Sequence, residues 1–214
     1  MASRANPTGC LGPEQWQHSP MSSMLAIVLP GAQYTSLGPA IRFPVLALEE
    51  LGATVRDVAY PEITAPTLDD ESWAMLCNAS ADQVRRFVAE GPWDRAVFVA
   101  KSLGTGILAR IGQQLDVPSP SAIWLTPLFR DATTRDAAIA GRWPALLVAG
   151  TADFAHDDAG FDQVAVALGA HTLLIDGADH GLEIPGDAKV TAEVMSRLVD
   201  ATLEFADPAA GATV

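Results

Sequence analysis

Ser102 stands where an apolar run stops and a glycine-bearing helical pattern begins, in Ala96-Val97-Phe98-Val99-Ala100-Lys101-Ser102-Leu103-Gly104-Thr105-Gly106. A strand, a tight turn and a helix in that order thrust a serine hydroxyl out of the chain, where it can act as a nucleophile. Small residues must flank such a turn because strand and helix approach closely, and Ala100 and Gly104 stand two residues either side of the serine. The pentapeptide A-K-S-L-G leaves the pattern G-x-S-x-G at its first position, where alanine adds one methyl. Alone, the pentapeptide also fits the lesser reading in which Ser102 merely caps the helix that follows a strand. Attack by a serine further requires a base for the hydroxyl proton, a carboxylate to orient that base, and amides to hold an oxyanion. Two later turns offer the first two, Gly150-Thr151-Ala152-Asp153-Phe154 and Asp176-Gly177-Ala178-Asp179-His180-Gly181.

Turns of this kind need strands to position them. Residues 24–29 form an apolar strand ending at Pro30-Gly31, and residues 40–51 carry a helical pattern stopped by Gly52, with Pro44 marking a kink or the helix start. Residues 54–60 read as a second strand. Residues 62–81, with Pro66, read as a long connection that could rim or cover a site, and Asp82 as the N-cap of a helix reaching Glu90. Strands follow at 95–100, 122–126, 145–149 and 172–175, and helices at 103–115, 134–140, 158–168 and 188–205. Six strands alternating with six helical segments predict an α/β fold, a mostly parallel sheet with helices on both faces. In such a sheet, chemistry collects at the carboxyl ends of the strands. Residues 24–208 read as one domain, preceded by a flexible extension over 1–23 and followed by a tail over 209–214.

Composition narrows the function classes. In 214 residues, 49% hydrophobic content is ample for a core, and a formal net charge of −13 argues against nucleic acid or anionic membrane as partner. Cys10 and Cys77 are too few for a disulfide framework and lack metal-ligand spacing. No apolar stretch reaches the roughly 20 residues that span a bilayer, and the N-terminal residues lack the apolar core of a secretory signal. The expectation is a cytoplasmic protein. His18 falls in the extension, His171 begins a strand, and His156 with Asp157 and Asp158 reads as a solvated turn, so no metal and no cofactor are expected.

On the elbow A-K-S-L-G, the turn G-T-A-D and the loop G-A-D-H-G, in the order Ser, Asp, His, residues 24–205 resemble the α/β-hydrolase superfamily. The likeness is to its small lidless serine hydrolases, the dienelactone-hydrolase-like group, because the connection from Pro127 to Thr134 is too short to hold a cap domain. Dienelactone hydrolases proper carry Cys where this chain has Ser102, so their substrate does not carry over. The resemblance implies Ser102 as nucleophile, His180 as base and then acid, and Asp153 as the residue that holds the imidazole. It implies oxyanion amides at Leu103 and Ala32, with Gln33 the alternative second donor. Asp157 and Asp158 also follow the Asp153 turn but suit helix capping, and Asp179 suits shaping of the histidine loop. Gln33, Tyr34, Leu128, Phe129, Phe154 and Leu182 follow strand ends and are candidates to line a substrate pocket, while Lys101 could attract an anionic substrate or point elsewhere.

The implied activity is cleavage of a small carboxylic ester or thioester through an acyl-enzyme, and the alternative is a hydrolase fold that binds or assembles without catalysis. Gly104-Thr105-Gly106-Ile107-Leu108-Ala109 also fits the dinucleotide pattern G-x-G-x-x-A. That pattern needs an acidic residue about 20 positions on, where Ala122-Ile123-Trp124-Leu125-Thr126 has none. Close packing behind the elbow explains the glycines better.

Overall fold

The apolar runs become the strands of one parallel sheet in a computed structural model, which describes residues 23–61 and 68–207. The strands are β1 (Met24–Leu29), β2 (Thr54–Asp57), β3 (Arg95–Lys101), β4 (Pro120–Leu125), β5 (Ala145–Gly150) and β6 (His171–Ile175). The helices are α1 (Pro39–Glu50), α2 (Asp70–Val88), α3 (Leu103–Ile111), α4 (Ala132–Gly141), α5 (Asp158–Leu168) and α6 (Ala188–Ala206). The sheet order is β2-β1-β3-β4-β5-β6, and every neighbouring pair is parallel. From β1 the chain goes outward to β2 and then returns to the other side of β1 for β3. That reversal opens a crevice beyond the carboxyl ends of β1 and β3, where ligands of parallel sheets gather.

Alternation along β3 divides the core into two layers. Ala96, Phe98 and Ala100 face Leu76 and Val84 of α2, Ile107 of α3 and Phe161 of α5. Val97 and Val99 face the other way, toward Ile41 and Leu48 of α1 and Val194 and Leu198 of α6. Helices therefore cover both faces, as the strand pattern predicts.

Three elements differ from the sequence reading. The expected connection over 62–81 is largely helix: α2 starts at Asp70, capped by the Asp69 side chain, which accepts from the Ser72 amide at 2.9 Å. Asp82 is no N-cap but lies inside that helix, paired with Arg85 at 2.9 Å. β2 ends at Asp57 rather than Tyr60, because the Gln83 amide of α2 takes over both backbone groups of Ala59, at 3.0 and 2.7 Å. α1 begins at Pro39 and includes Pro44, which is buried along with Ala40, Ile41, Val45 and Leu48 of the same helix. Prolines normally disrupt a helix interior, and here burial of one whole face outweighs that. The extension before Ser23, with Cys10 and His18, the Pro66 segment and the tail over 209–214 lie outside the described residues. No described helix is long and apolar enough to cross a membrane.

Candidate active site

Ser102 follows β3 directly and adopts φ +48°, ψ −112°, a conformation that an L residue holds only when its surroundings impose it. Three features impose it. Its amide donates to the Leu125 carbonyl at the end of β4 at 3.0 Å, and its own carbonyl accepts from both the Thr105 amide and the Thr105 hydroxyl, at 2.9 and 2.6 Å. Gly104 supplies the space, since a Cβ there would run into the backbone carbonyl of Leu29. Gly106 lies against the Trp73 ring of α2, where a Cβ would come within 2.7 Å of the indole. The two glycines thus serve close packing of α3.

The acid turn and the histidine loop are stitched together behind the serine. The Ala152 amide donates to the Ala178 carbonyl at 3.0 Å, and Thr151 bonds both Asp176 and the Gly177 amide, at 3.0 and 2.8 Å. Gly150 backs directly onto the main chain of Ala178, so any side chain at 150 would part the two turns. Asp179 folds the loop from within, accepting from the Gly181 and Glu183 amides at 2.7 and 3.1 Å.

This scaffold brings the three sequence candidates into one line. His180 Nε2 lies 2.9 Å from Ser102 Oγ, and His180 Nδ1 lies 2.8 Å from Asp153 Oδ1. The Asp153 side chain is 1% exposed and that of His180 23%, so the pair is buried on the acid side and open toward the serine. Burial pushes the Asp153 carboxyl up, but the His180 bond, the Ala155 amide and the charges of His180 and Lys101 together bring it below the usual carboxylate range. The other carboxylates take different partners. Asp157 caps α5 through the Gly160 amide at 3.1 Å, and Asp158 pairs with His156 at 2.9 Å. His156 is not the solvated residue the sequence suggests, because its side chain is 8% exposed and lies edge-on to Phe161.

The remaining candidates divide between the site and the core. Gly31, Ala32, Gln33 and Tyr34 form a turn closed by the Tyr34 amide on the Gly31 carbonyl at 3.3 Å, and a Cβ on Gly31 would lie 3.5 Å from that of Ser102. The turn therefore sits beside Ser102, with Ala32 and Gln33 exposed. Leu103 opens α3, so its amide belongs to the first-turn N–H groups that have no partner inside the helix. A groove of about 400 Å³ runs from this turn between the ends of β1 and β2, lined by Pro30, Tyr34, Val58 and Tyr60 and by the polar Gln33, Thr35, Ser36 and Asp57. Phe154, 75% exposed, covers the His180 ring at 4.7 Å between centroids, and Leu128 is half-buried with its amide on Thr105 at 3.2 Å. Phe129 and Leu182 do not face the site's open side. Phe129 is buried against Trp124 on the α2–α5 side of the sheet, and Leu182 is buried on the α1–α6 side.

No family model matches the chain, and no curated protein matches it. Solved structures do. Est1E from Butyrivibrio proteoclasticus, solved with ferulic acid bound, superposes with a TM-score of 0.66 at 14% identity over 88% of this chain and 92% of its own. An α/β serine hydrolase without lid from Xanthomonas campestris matches at TM-score 0.57 and 20% identity, covering 85% of this chain and 82% of that one. The fold is that of the lidless α/β hydrolases. The Pyrococcus furiosus esterase Pf2001 extends the likeness, at TM-score 0.60 and 13% identity over 84% and 82% of the two chains. At these identities the agreement is one of architecture.

Proposed function

We propose that this lidless α/β hydrolase is a serine esterase, with Ser102 as nucleophile, His180 as general base and acid, and Asp153 as the carboxylate that fixes the imidazole. The observation that carries the reading is the hydrogen-bonded line from Ser102 through His180 to Asp153, at 2.9 and 2.8 Å, built on a backbone held at positive φ. His180 Nε2 takes the hydroxyl proton as Ser102 Oγ attacks the acyl carbon. The oxyanion of the tetrahedral adduct turns toward the Leu103 amide and that of Ala32 or Gln33. Collapse expels the alcohol or thiol, protonated by His180, and water then repeats the sequence on the acyl-serine.

The Tyr34 and Tyr60 rings of the groove beside the elbow and the exposed Phe154 ring favour a small ester with an aromatic acyl group, and the ferulic acid held by Est1E is an aromatic acid. Thioesters share the chemistry. The deciding experiment treats the purified protein with a fluorophosphonate probe and with p-nitrophenyl esters of increasing acyl length. Labelling and turnover in the native protein, both absent in a folded Ser102→Ala variant, are expected. A folded native protein that neither labels nor turns over any ester or thioester refutes the reading and leaves a non-catalytic binding module.

A further inference from the structure

The residue before the elbow serine is a buried cation for which the reaction above has no use. Lys101 ends β3, and strand alternation turns its side chain to the same side as Val97 and Val99, where it is 2% exposed. Its Nζ donates to the His180 main-chain carbonyl at 2.7 Å and to Thr126 Oγ1 at 3.1 Å, and stands 4.6 Å from the centre of the Tyr34 ring. Each partner comes from a different strand end: Tyr34 after β1, Thr126 after β4, His180 after β6. No carboxylate among the described residues forms an ion pair with it. An ammonium taken out of water with no carboxylate in contact is costly, and a core chosen for stability alone would place leucine or methionine there.

We propose that Lys101 is a positioning residue for the triad, which by gripping the main-chain carbonyl of His180 sets the imidazole on the line between Ser102 and Asp153. The proposal rests on the serine-hydrolase reading. Lys101 and Ser102 are consecutive, so one residue step ties the nucleophile to the backbone that carries its base. A charge-assisted bond at 2.7 Å is stronger than its neutral counterpart, and the face of Tyr34 adds attraction only for a cation. The same charge also serves Asp153, whose Oδ2 is buried without a hydrogen-bond partner among the described residues.

Charge on Lys101 depends on pH. The groups that face it are Tyr34 from the turn after β1, Thr126 from the end of β4, Asp153 from the turn after β5, and Asp179 and His180 from the loop after β6, with Glu183 acting on Tyr34. Burial pushes the ammonium down to about 8, against the pull of Asp153 and Asp179, so the grip is charged at neutral pH and loses its charge in mild alkali.

The test is Lys101→Met in the full chain. The variant is expected to fold, with native circular dichroism at pH 7, because an unbranched apolar side chain fills the same buried space. Its kcat for p-nitrophenyl acetate should fall roughly 10- to 100-fold with KM within about twofold, as for a displaced catalytic group, and fluorophosphonate labelling should slow in step. In the native protein kcat should decline through an alkaline limb near pH 8 that the variant lacks. A folded variant with native kcat, or one that keeps the native pH profile, overturns the proposal. If Lys101→Met does not fold, Lys101→Gln is read by the same two measurements with the same outcomes. A native protein that is folded, inactive and unlabelled fails the hydrolase reading instead, and is told apart by that control.

Discussion

Asp153 meets two opposed demands, burial and ionisation, and its partners decide between them. Removal from water favours the protonated acid, whereas the His180 ring, the Ala155 amide and the nearby charges favour the carboxylate and prevail. A carboxyl held below its ordinary value contributes stability above the unfolded value of about 4, and that contribution is lost as pH falls through the lower folded value. Asp153→Asn should therefore fold at pH 7 yet lose about 10⁴ in kcat, because the amide cannot stabilise the imidazolium or fix its tautomer. Steady-state ester hydrolysis and urea unfolding measure the two halves, and a folded Asn variant with native turnover would remove Asp153 from the mechanism. The candidates for these roles were legible in the sequence through their order and their strand-end positions. The direction of Lys101 was legible too, in a signal that chemistry at Ser102 obscured. Val97 and Val99 point into one core layer, so period-2 alternation sends residue 101 inward with them. Phe129 and Leu182 escaped because sequence proximity to a strand end does not say which way a loop side chain turns.

The elbow works because α3 is pressed against β1, and that seam can be probed from one side. Gly104→Ala sets a methyl against the rigid backbone of Leu29, so unfolding free energy should fall by about 3 kcal/mol, and ester turnover should fall with it as Ser102 shifts. Gly106→Ala meets only the outer ring of Trp73, which can yield, and the gain in helix propensity of about 1 kcal/mol offsets much of the strain. Urea unfolding of both variants checks the contrast, and equal losses would contradict a backbone seam at Gly104. The inner strands β1, β3, β4 and β5 were the most readable elements because they are buried on both faces and appear as apolar runs, as in Ala145–Gly150, whereas the edge strands β2 and β6 are largely half-buried or exposed. α2 was the least readable. Its apolar face was present at helical spacing in Trp73, Leu76, Cys77, Ser80, Ala81 and Val84, but the cluster from Asn78 to Asp82 imitates a loop and an N-cap. Asp69, three residues ahead of Ser72, was the true cap.

Across the whole molecule, 26 acidic residues against 13 basic ones leave a charge of −13 that the compact state concentrates. Raising sodium chloride from about 10 mM to about 0.3 M should raise the thermal midpoint by screening this self-repulsion, which differential scanning calorimetry would register, and a fall would show that attractive pairs dominate. The sheet order carries a further consequence, one of timing. Ser102 is placed by β3 in the middle of the sheet, whereas His180 hangs from β6, an edge strand that pairs with β5 alone. Parallel strands gain their ladder only after long crossovers have closed, so the edge strand that arrives last in the chain has the fewest partners to recruit it. A chain that has assembled β1 to β5 already holds a serine at its elbow but no base to draw off its proton. On the proposed reading, the nucleophile is thus made before its base, and reactivity waits on the docking of β6 and its loop, which also bring Ile175, Ala178 and Leu182 into the α1–α6 layer of the core.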